Sequence, residues 1–281
     1  SQYYAAAELL EKAKAVVIQA EQQGFEKLRS EQADYLADFW DDADIVIKGD
    51  ALLQQGVRFN MFHLLQSAGR DGKTNIAAKG LTGEGYEGHY FWDTEMYVVP
   101  FFLHLHPEIS RKLLEHRYSI LEKAKQRARQ MSHPKGALFA WRTINGEECS
   151  AYFPAGTAQF HINADIAFAI KRYVDATGDH SFMIDYGAEI LFETARFWAD
   201  YGDFIPRKGD KFCINGVTGP DEYTAIIDNN CYTNLMAKEN LQNAYDAAEW
   251  MRHNAGDQYR KLVAKIGLEE QELEQSKKAA A

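Results

Sequence analysis

Three cysteines in 281 residues, Cys149, Cys213 and Cys231, are too few and too scattered for a disulfide frame or a zinc site. Their odd number and the absence of C-x-x-C spacing point to reduced thiols and a cytoplasmic protein. Basic charge is also in short supply: 31 Lys and Arg stand against 41 Asp and Glu, a formal net charge of −10. A nucleic-acid partner would need a basic stripe, so none is expected. No run of about 18 apolar residues occurs, which excludes a membrane-spanning helix. The start, Ser1-Gln2-Tyr3-Tyr4-Ala5, has no basic segment ahead of an apolar core, so no signal peptide is visible there. Metal-binding spacings are missing too. Neither H-E-x-x-H nor D-x-D-x-D-G is found, and His104 and His106 would point about 200° apart on a helix. No metal site is expected.

An apolar share of 46% suits a globular chain, and length allows one large domain or two small ones. The dominant periodicity is helical. Ile162, Ile166, Ala169, Ile170, Tyr173 and Val174 recur at three- and four-residue spacing, and Thr177-Gly178-Asp179 is a stop. Ser181 is an N-cap candidate for the next helix, whose face carries Ile190, Leu191, Thr194, Phe197, Trp198 and Tyr201. Further helices are expected over about 6–28, 31–40, 50–67, 94–105, 107–129 and 231–253, with weaker ones near 257–265 and 269–279. Extended pieces are expected only near Leu138–Trp141 and Phe212–Val217. Long loops at 70–93, 131–160 and 203–230 carry the unusual residues. Helical hairpins with elaborate loops at one end suggest an all-α, α/α toroid. An α-solenoid would need an internal repeat of 34 to 47 residues, and none is found.

Two of those loops carry chemistry. Gly216-Val217-Thr218-Gly219-Pro220 cannot continue a helix and presents Asp221, Glu222 and Tyr223, with Asn229, Asn230 and Asn234 behind. A carboxylic acid on a rigid loop among aromatics and amides suits general-acid work on a sugar. The bland alternative is a solvated loop with an Asp-Glu pair. The second loop, residues 79–95, has Gly80, Gly83, Gly85 and Gly88 running into His89-Tyr90-Phe91-Trp92-Asp93. An indole can pack on a pyranose face while a carboxylate accepts from its hydroxyls. Equally, Trp92 can be a core residue and Asp93 the N-cap of a helix from Thr94. Gly83 to Gly88 is a literal G-x-G-x-x-G. A dinucleotide site is rejected because Lys73 to Lys79 is no β-branched strand, and Glu84 and Glu87 would face a pyrophosphate with like charge.

Together and in this order, these segments resemble glycoside hydrolase family 65, the family of maltose, trehalose, kojibiose and nigerose phosphorylases. The likeness rests on Lys79–Tyr86, Phe91–Glu95, His161–Ala167, Tyr173 with Thr177-Gly178-Asp179, Gly219–Tyr223 and Asp228–Asn234 without Cys231. It implies residues 1–48 as linker helices and 49–281 as the N-terminal part of an (α/α)6 barrel. Glu222 matches the family's general acid, and Trp92 and Asp93 match residues that hold the non-reducing glucose. Asp221, Tyr223 and Asn230 are further candidates for substrate contact, with Asp221 more suited to orienting the loop. The implied reaction is inverting. Phosphate, a co-substrate rather than a cofactor, attacks an α-glucosyl disaccharide and gives β-glucose 1-phosphate and an acceptor sugar. No protein base is then required. The full-length form is expected to be a homodimer. Family members often carry His after Asp-Glu-Tyr; Thr224 stands here, beside the acceptor sugar. The family's phosphate-binding residues lie beyond residue 281, so the isolated chain is expected to lack phosphorolysis. The alternatives are a trehalase-like hydrolase, needing a second carboxylate about 6.5–9.5 Å from the first, and a silent α/α sugar-binding scaffold.

Overall fold

A computed structural model describes residues 5–150 and 153–281. Residues 1–4, most of the stretch read for a signal peptide, lie outside the described residues. The chain divides into two compact units, Ser1–His63 and Leu64–Ala281. The sequence places the division after residue 48.

In the first unit, two helices are found where two are expected, α1 (Ala6–Gln23) and α2 (Phe25–Ala43), but the break between them falls at Gly24 rather than after residue 28. Gly24 separates them, at φ 76° and ψ 161°, a conformation that only glycine adopts without strain. The break is invisible to periodicity because the apolar stripe of α1 is weak, and none of its residues is buried. α3 (Ala51–Ser67), whose last four residues belong to the second unit, starts after Asp50, whose Oδ1 accepts the Leu53 N–H at 2.9 Å.

The second unit is all-α, the expected class. A π-helical turn, Thr94–Val98, leads into α4 (Val99–Leu105), followed by α5 (Pro107–Ser119) and α6 (Leu121–Gln130). The single helix expected over 107–129 breaks at Ile120, whose ψ of 6° leaves the helical range. α7 (His161–Thr177) buries all six apolar residues that its spacing predicts. Gly178, left-handed at φ 67°, ends it. α8 (His180–Phe182) continues through a π-helical turn, Met183–Gly187, into α9 (Ala188–Tyr201). Its cap is Asp179, not Ser181. The Asp179 carboxylate takes the Phe182 N–H at 3.1 Å, and Ser181 Oγ donates to the same Oδ1 at 2.6 Å. A carboxylate has acceptor capacity for both donors, so the Ser becomes its helper.

α10 (Cys231–Asn254) packs against α7, α9 and α12 (Glu270–Ala280), with α11 (Gly256–Ile266) between the last two in sequence. Trp198 of α9 is wholly buried, and its indole N–H donates to Asn240 Oδ1 of α10 at 3.1 Å. A fully buried apolar side chain of this kind contributes roughly 1.5–3 kcal/mol, and the bond removes the cost of burying its polar handle. Short connections alternate with three long loops, after α3, after α6 and after α9. The last contains a hairpin of β1 (Asp203–Ile205) and β2 (Lys211–Cys213), in register at Phe204 and Phe212. The other expected extended piece, Leu138–Trp141, joins no strand. Asn163 of α7 holds it instead, accepting the Phe139 N–H at 2.9 Å and donating to the Ala137 carbonyl at 2.8 Å. Among the described residues no helix is long and apolar enough to cross a membrane.

Candidate active site

The three long loops are tied to one another. Tyr90 and Thr143 exchange backbone bonds of 2.7 and 3.2 Å, joining the first loop to the second. Thr218 joins the second to the third, through its N–H on the Ala158 carbonyl and its hydroxyl on Ala155. Where they meet lies a cavity of about 650 Å³, lined by Trp92 and Asp93 from the first loop, Trp141 and Phe153 from the second, and Pro220 and Glu222 from the third. Gly156 is needed here, because a Cβ at that position would lie 2.6 Å from the Trp141 ring.

Trp92 and Asp93 sit in a rigid frame. Behind them Arg117, wholly buried, pairs with buried Glu95 through bonds of 2.8 and 2.6 Å and also reaches the Phe91 carbonyl at 3.2 Å. This bidentate pair fixes the backbone on both sides of the Trp-Asp dipeptide. Trp92 lies edge-on to His161, ring centres 4.9 Å apart. Asp93 is exposed and already has helical backbone, and its side chain caps no helix. Among the described residues its carboxylate has no hydrogen-bond or ionic partner. Of the two readings open from sequence, helix cap and ligand-facing carboxylate, the first is not found, and Asp93 lines the cavity.

Glu222 stands at the tip of the third loop with φ of 56°. A non-glycine residue in that region costs on the order of 1–2 kcal/mol and needs surrounding structure to hold it. The loop supplies this. Gly219 N–H bonds to the Thr224 carbonyl at 3.2 Å, and Val217 and Ile227 exchange bonds of 3.0 and 2.8 Å. A Cβ at Gly219 would come within 2.5 Å of Asn230 Nδ2, so a larger residue there would have to displace the Asn230 amide. Asp221 accepts the Thr224 hydroxyl at 2.8 Å and stays out of the cavity lining, a loop-orienting position. Asn230 caps α10, its Oδ1 accepting the Thr233 N–H at 3.0 Å. Tyr223 is 97% exposed and contributes nothing to the cavity lining. The structure thus brings Trp92, Asp93 and Glu222 to one cavity and leaves Asp221, Tyr223 and Asn230 at its support or beyond it.

Sequence reasoning did not single out Gln159, whose Nε2 donates to Glu222 Oε1 at 2.9 Å, or the cavity rings Trp141 and Phe153. Behind Gln159 lie His161 and Asp165, both wholly buried, with Nδ1 to Oδ2 at 2.7 Å. Burial pushes the Asp165 carboxyl up, opposed by bonds from His161 and Tyr232 and by the charge of Arg117. Burial and the neighbouring Asp165 carboxylate likewise push the Tyr232 hydroxyl up, and it donates to Asp165 Oδ1 at 2.8 Å. His161 and Asp165 stand four apart on α7, a spacing that a search for polar pairs on one helical face would have found. Gln159 offers no such signal.

The match to known proteins covers most of the chain. Residues 58–281 fit the description of the glycosyl hydrolase family 65 central catalytic domain. An alpha,alpha-trehalose phosphorylase from Thermoanaerobacter brockii is 62% identical over 261 residues, 93% of this chain and 34% of that protein. A kojibiose phosphorylase from Halothermothrix orenii is 40% identical over 96% of this chain and 36% of its own length. A solved structure of a candidate kojibiose phosphorylase from the human microbiome superposes with a TM-score of 0.88 at 34% identity, covering 99% of this chain and 40% of that one. The chain therefore spans about a third of the length of the curated relatives it matches. Its helices correspond to part of an (α/α) toroid.

Proposed function

The chain belongs to glycosyl hydrolase family 65, and on that footing we propose that the whole protein is an inverting α-glucoside phosphorylase of which residues 1–281 carry the glucose site and the general acid. The observation that carries this reading is the meeting of Glu222 with Trp92 and Asp93 around one aromatic-walled cavity. Trp92 packs on the apolar face of the non-reducing glucose, and Asp93, with its carboxylate unengaged, accepts from the sugar hydroxyls. Glu222 gives its proton to the glycosidic oxygen as the C1–O bond breaks and the bonding pair leaves with that oxygen. A phosphate oxygen bonds to C1 from the opposite face, so the α-linkage becomes β-glucose 1-phosphate and the acceptor sugar departs neutral. Phosphate is the nucleophile, so no protein base enters the step. No cofactor is required by this chemistry.

Trehalose leads the candidate substrates, since relatives at 62% and 57% identity are both named for it, against 40% for a kojibiose enzyme. The test uses a protein of the relatives' full length that contains this chain. Consumption of trehalose, kojibiose, maltose and nigerose is followed with and without inorganic phosphate. Glucose 1-phosphate released only when phosphate is present supports the proposal. Equal release of free glucose in its absence would replace it with a hydrolase.

A further inference from the structure

We infer that Gln159, backed by His161 and Asp165, is the positioning residue that aims the Glu222 carboxyl at the leaving oxygen; this rests on the reading of Glu222 as the general acid. Glu222 needs such a device. Its backbone sits at a loop tip, its side chain is exposed, and the loop's internal bonds fix the main chain rather than the carboxyl. Among the described residues the one side-chain partner of Glu222 is Gln159 Nε2, at 2.9 Å from Oε1. That leaves Oε2 to carry the proton that is transferred.

Gln159 is itself held. Only 2% of it is exposed, and its N–H bonds to the Gly156 carbonyl at 3.1 Å. An amide donates at one end and accepts at the other. With Nε2 on Glu222, Oε1 faces His161 Nε2 at 3.3 Å. The imidazole's other nitrogen meets Asp165 Oδ2 at 2.7 Å, and the second oxygen of Asp165 takes the Tyr232 hydroxyl. Three buried side chains in series thus end on one oxygen of one exposed carboxyl. The same imidazole also underlies Trp92, with ring planes at 83°. One buried cluster therefore sets both the platform for the sugar and the direction of the acid, which fixes their mutual geometry to the precision a proton transfer needs.

A purely structural role for Gln159 would affect all substrates alike, and a positioning role would not. α-Glucosyl fluoride has a leaving group that departs without a proton, so its turnover does not depend on where the acid points. In the full-length protein, Gln159→Met keeps the length of the side chain and removes both polar ends. The expected result is a roughly 10- to 100-fold loss of kcat on the disaccharide, the range for a lost hydrogen bond to a group that becomes charged as its proton leaves. KM on the disaccharide and kcat on the fluoride should stay within about 3-fold. Should Gln159→Met not fold, Gln159→Asn, which keeps the amide but falls one methylene short of Glu222, is read the same way. Glu222→Gln is run beside them on both substrates. If Glu222→Gln is selective for the disaccharide and the Gln159 variants are not, the positioning role is overturned alone. If Glu222→Gln depresses both substrates equally, the acid assignment fails and the positioning role falls with it.

Discussion

The loop over residues 79–95 and the loop over 216–230 face one cavity, yet they use their polar groups in opposite ways. In the second loop the side chains are largely satisfied by the loop itself and by the helix it enters. Asp221 is taken up by Thr224, Asp228 by the Gly216 N–H, and Asn230 by the first turn of α10. In the first loop the frame is built from residues outside the Trp-Asp pair, chiefly Arg117 with Glu95, and Trp92 and Asp93 themselves keep their polar groups unengaged among the described residues. A loop that must hold a strained Glu222 has to bond internally. A loop proposed to hold a sugar has to leave donors and acceptors over. Abundance of polar side chains near a cavity is therefore a poor guide to which of them bind ligand; what matters is which remain unsatisfied once the fold has taken its share.

Substitutions in the two loops should separate along that line. The largest effect is expected at Glu222, the one engaged group of the second loop that also lines the cavity. Glu222→Gln in the full-length protein should keep sugar binding and lose roughly 10²–10⁴-fold in disaccharide turnover. Steady-state kinetics on an unactivated disaccharide checks it, and near-normal turnover sinks the assignment. Next comes Asp93→Ala, expected to lower kcat/KM roughly 10- to 100-fold through a lost charge-assisted bond, with the melting temperature unmoved. A fall in stability with kinetics intact in the folded fraction would make Asp93 a structural residue after all.

Asn230→Ala tests the opposite loop. It should cost about 1 kcal/mol of stability, the usual loss for an N-cap, and leave glucose affinity alone. Chemical denaturation and a sugar titration on the same protein measure the two halves of that statement. The smallest effect belongs to Asp221→Asn. An amide oxygen can still accept from Thr224, so turnover should fall by less than about 10-fold. A loss as deep as that of Glu222→Gln would place Asp221 in the chemistry.

Much of this was legible in the sequence because the signals are local. The apolar period of α7 named six buried residues and that of α9 five, Tyr201 being half-buried, and the glycine-flanked segments named Trp92, Asp93 and Glu222, which line one cavity. Breaks inside periodic stretches were not legible. Gly24 and Ile120 end helices without interrupting the stripe around them, so 6–28 and 107–129 read as continuous. Long-range partners were not legible either. Glu95 and Arg117 are 22 residues apart, and Gln159 is 63 from Glu222. Gln159, Trp141 and Phe153 come from an aperiodic loop whose shape is set by Asn163 and by loop-to-loop bonds, and no spacing rule reaches those. Asn230 stands in a stretch rich in amides, which points to ligand contact, but its oxygen caps α10.

The most direct test of the contrast is glucose affinity, measured by calorimetric titration of the full-length protein beside its Asp93→Ala and Asp221→Asn variants. Asp93→Ala should weaken binding roughly 10-fold or more, while Asp221→Asn stays within about 3-fold of the parent. If Asp221→Asn weakened glucose as much as Asp93→Ala, or Asp93→Ala left it unchanged, the division between a self-bonded acid loop and an open sugar loop would be contradicted.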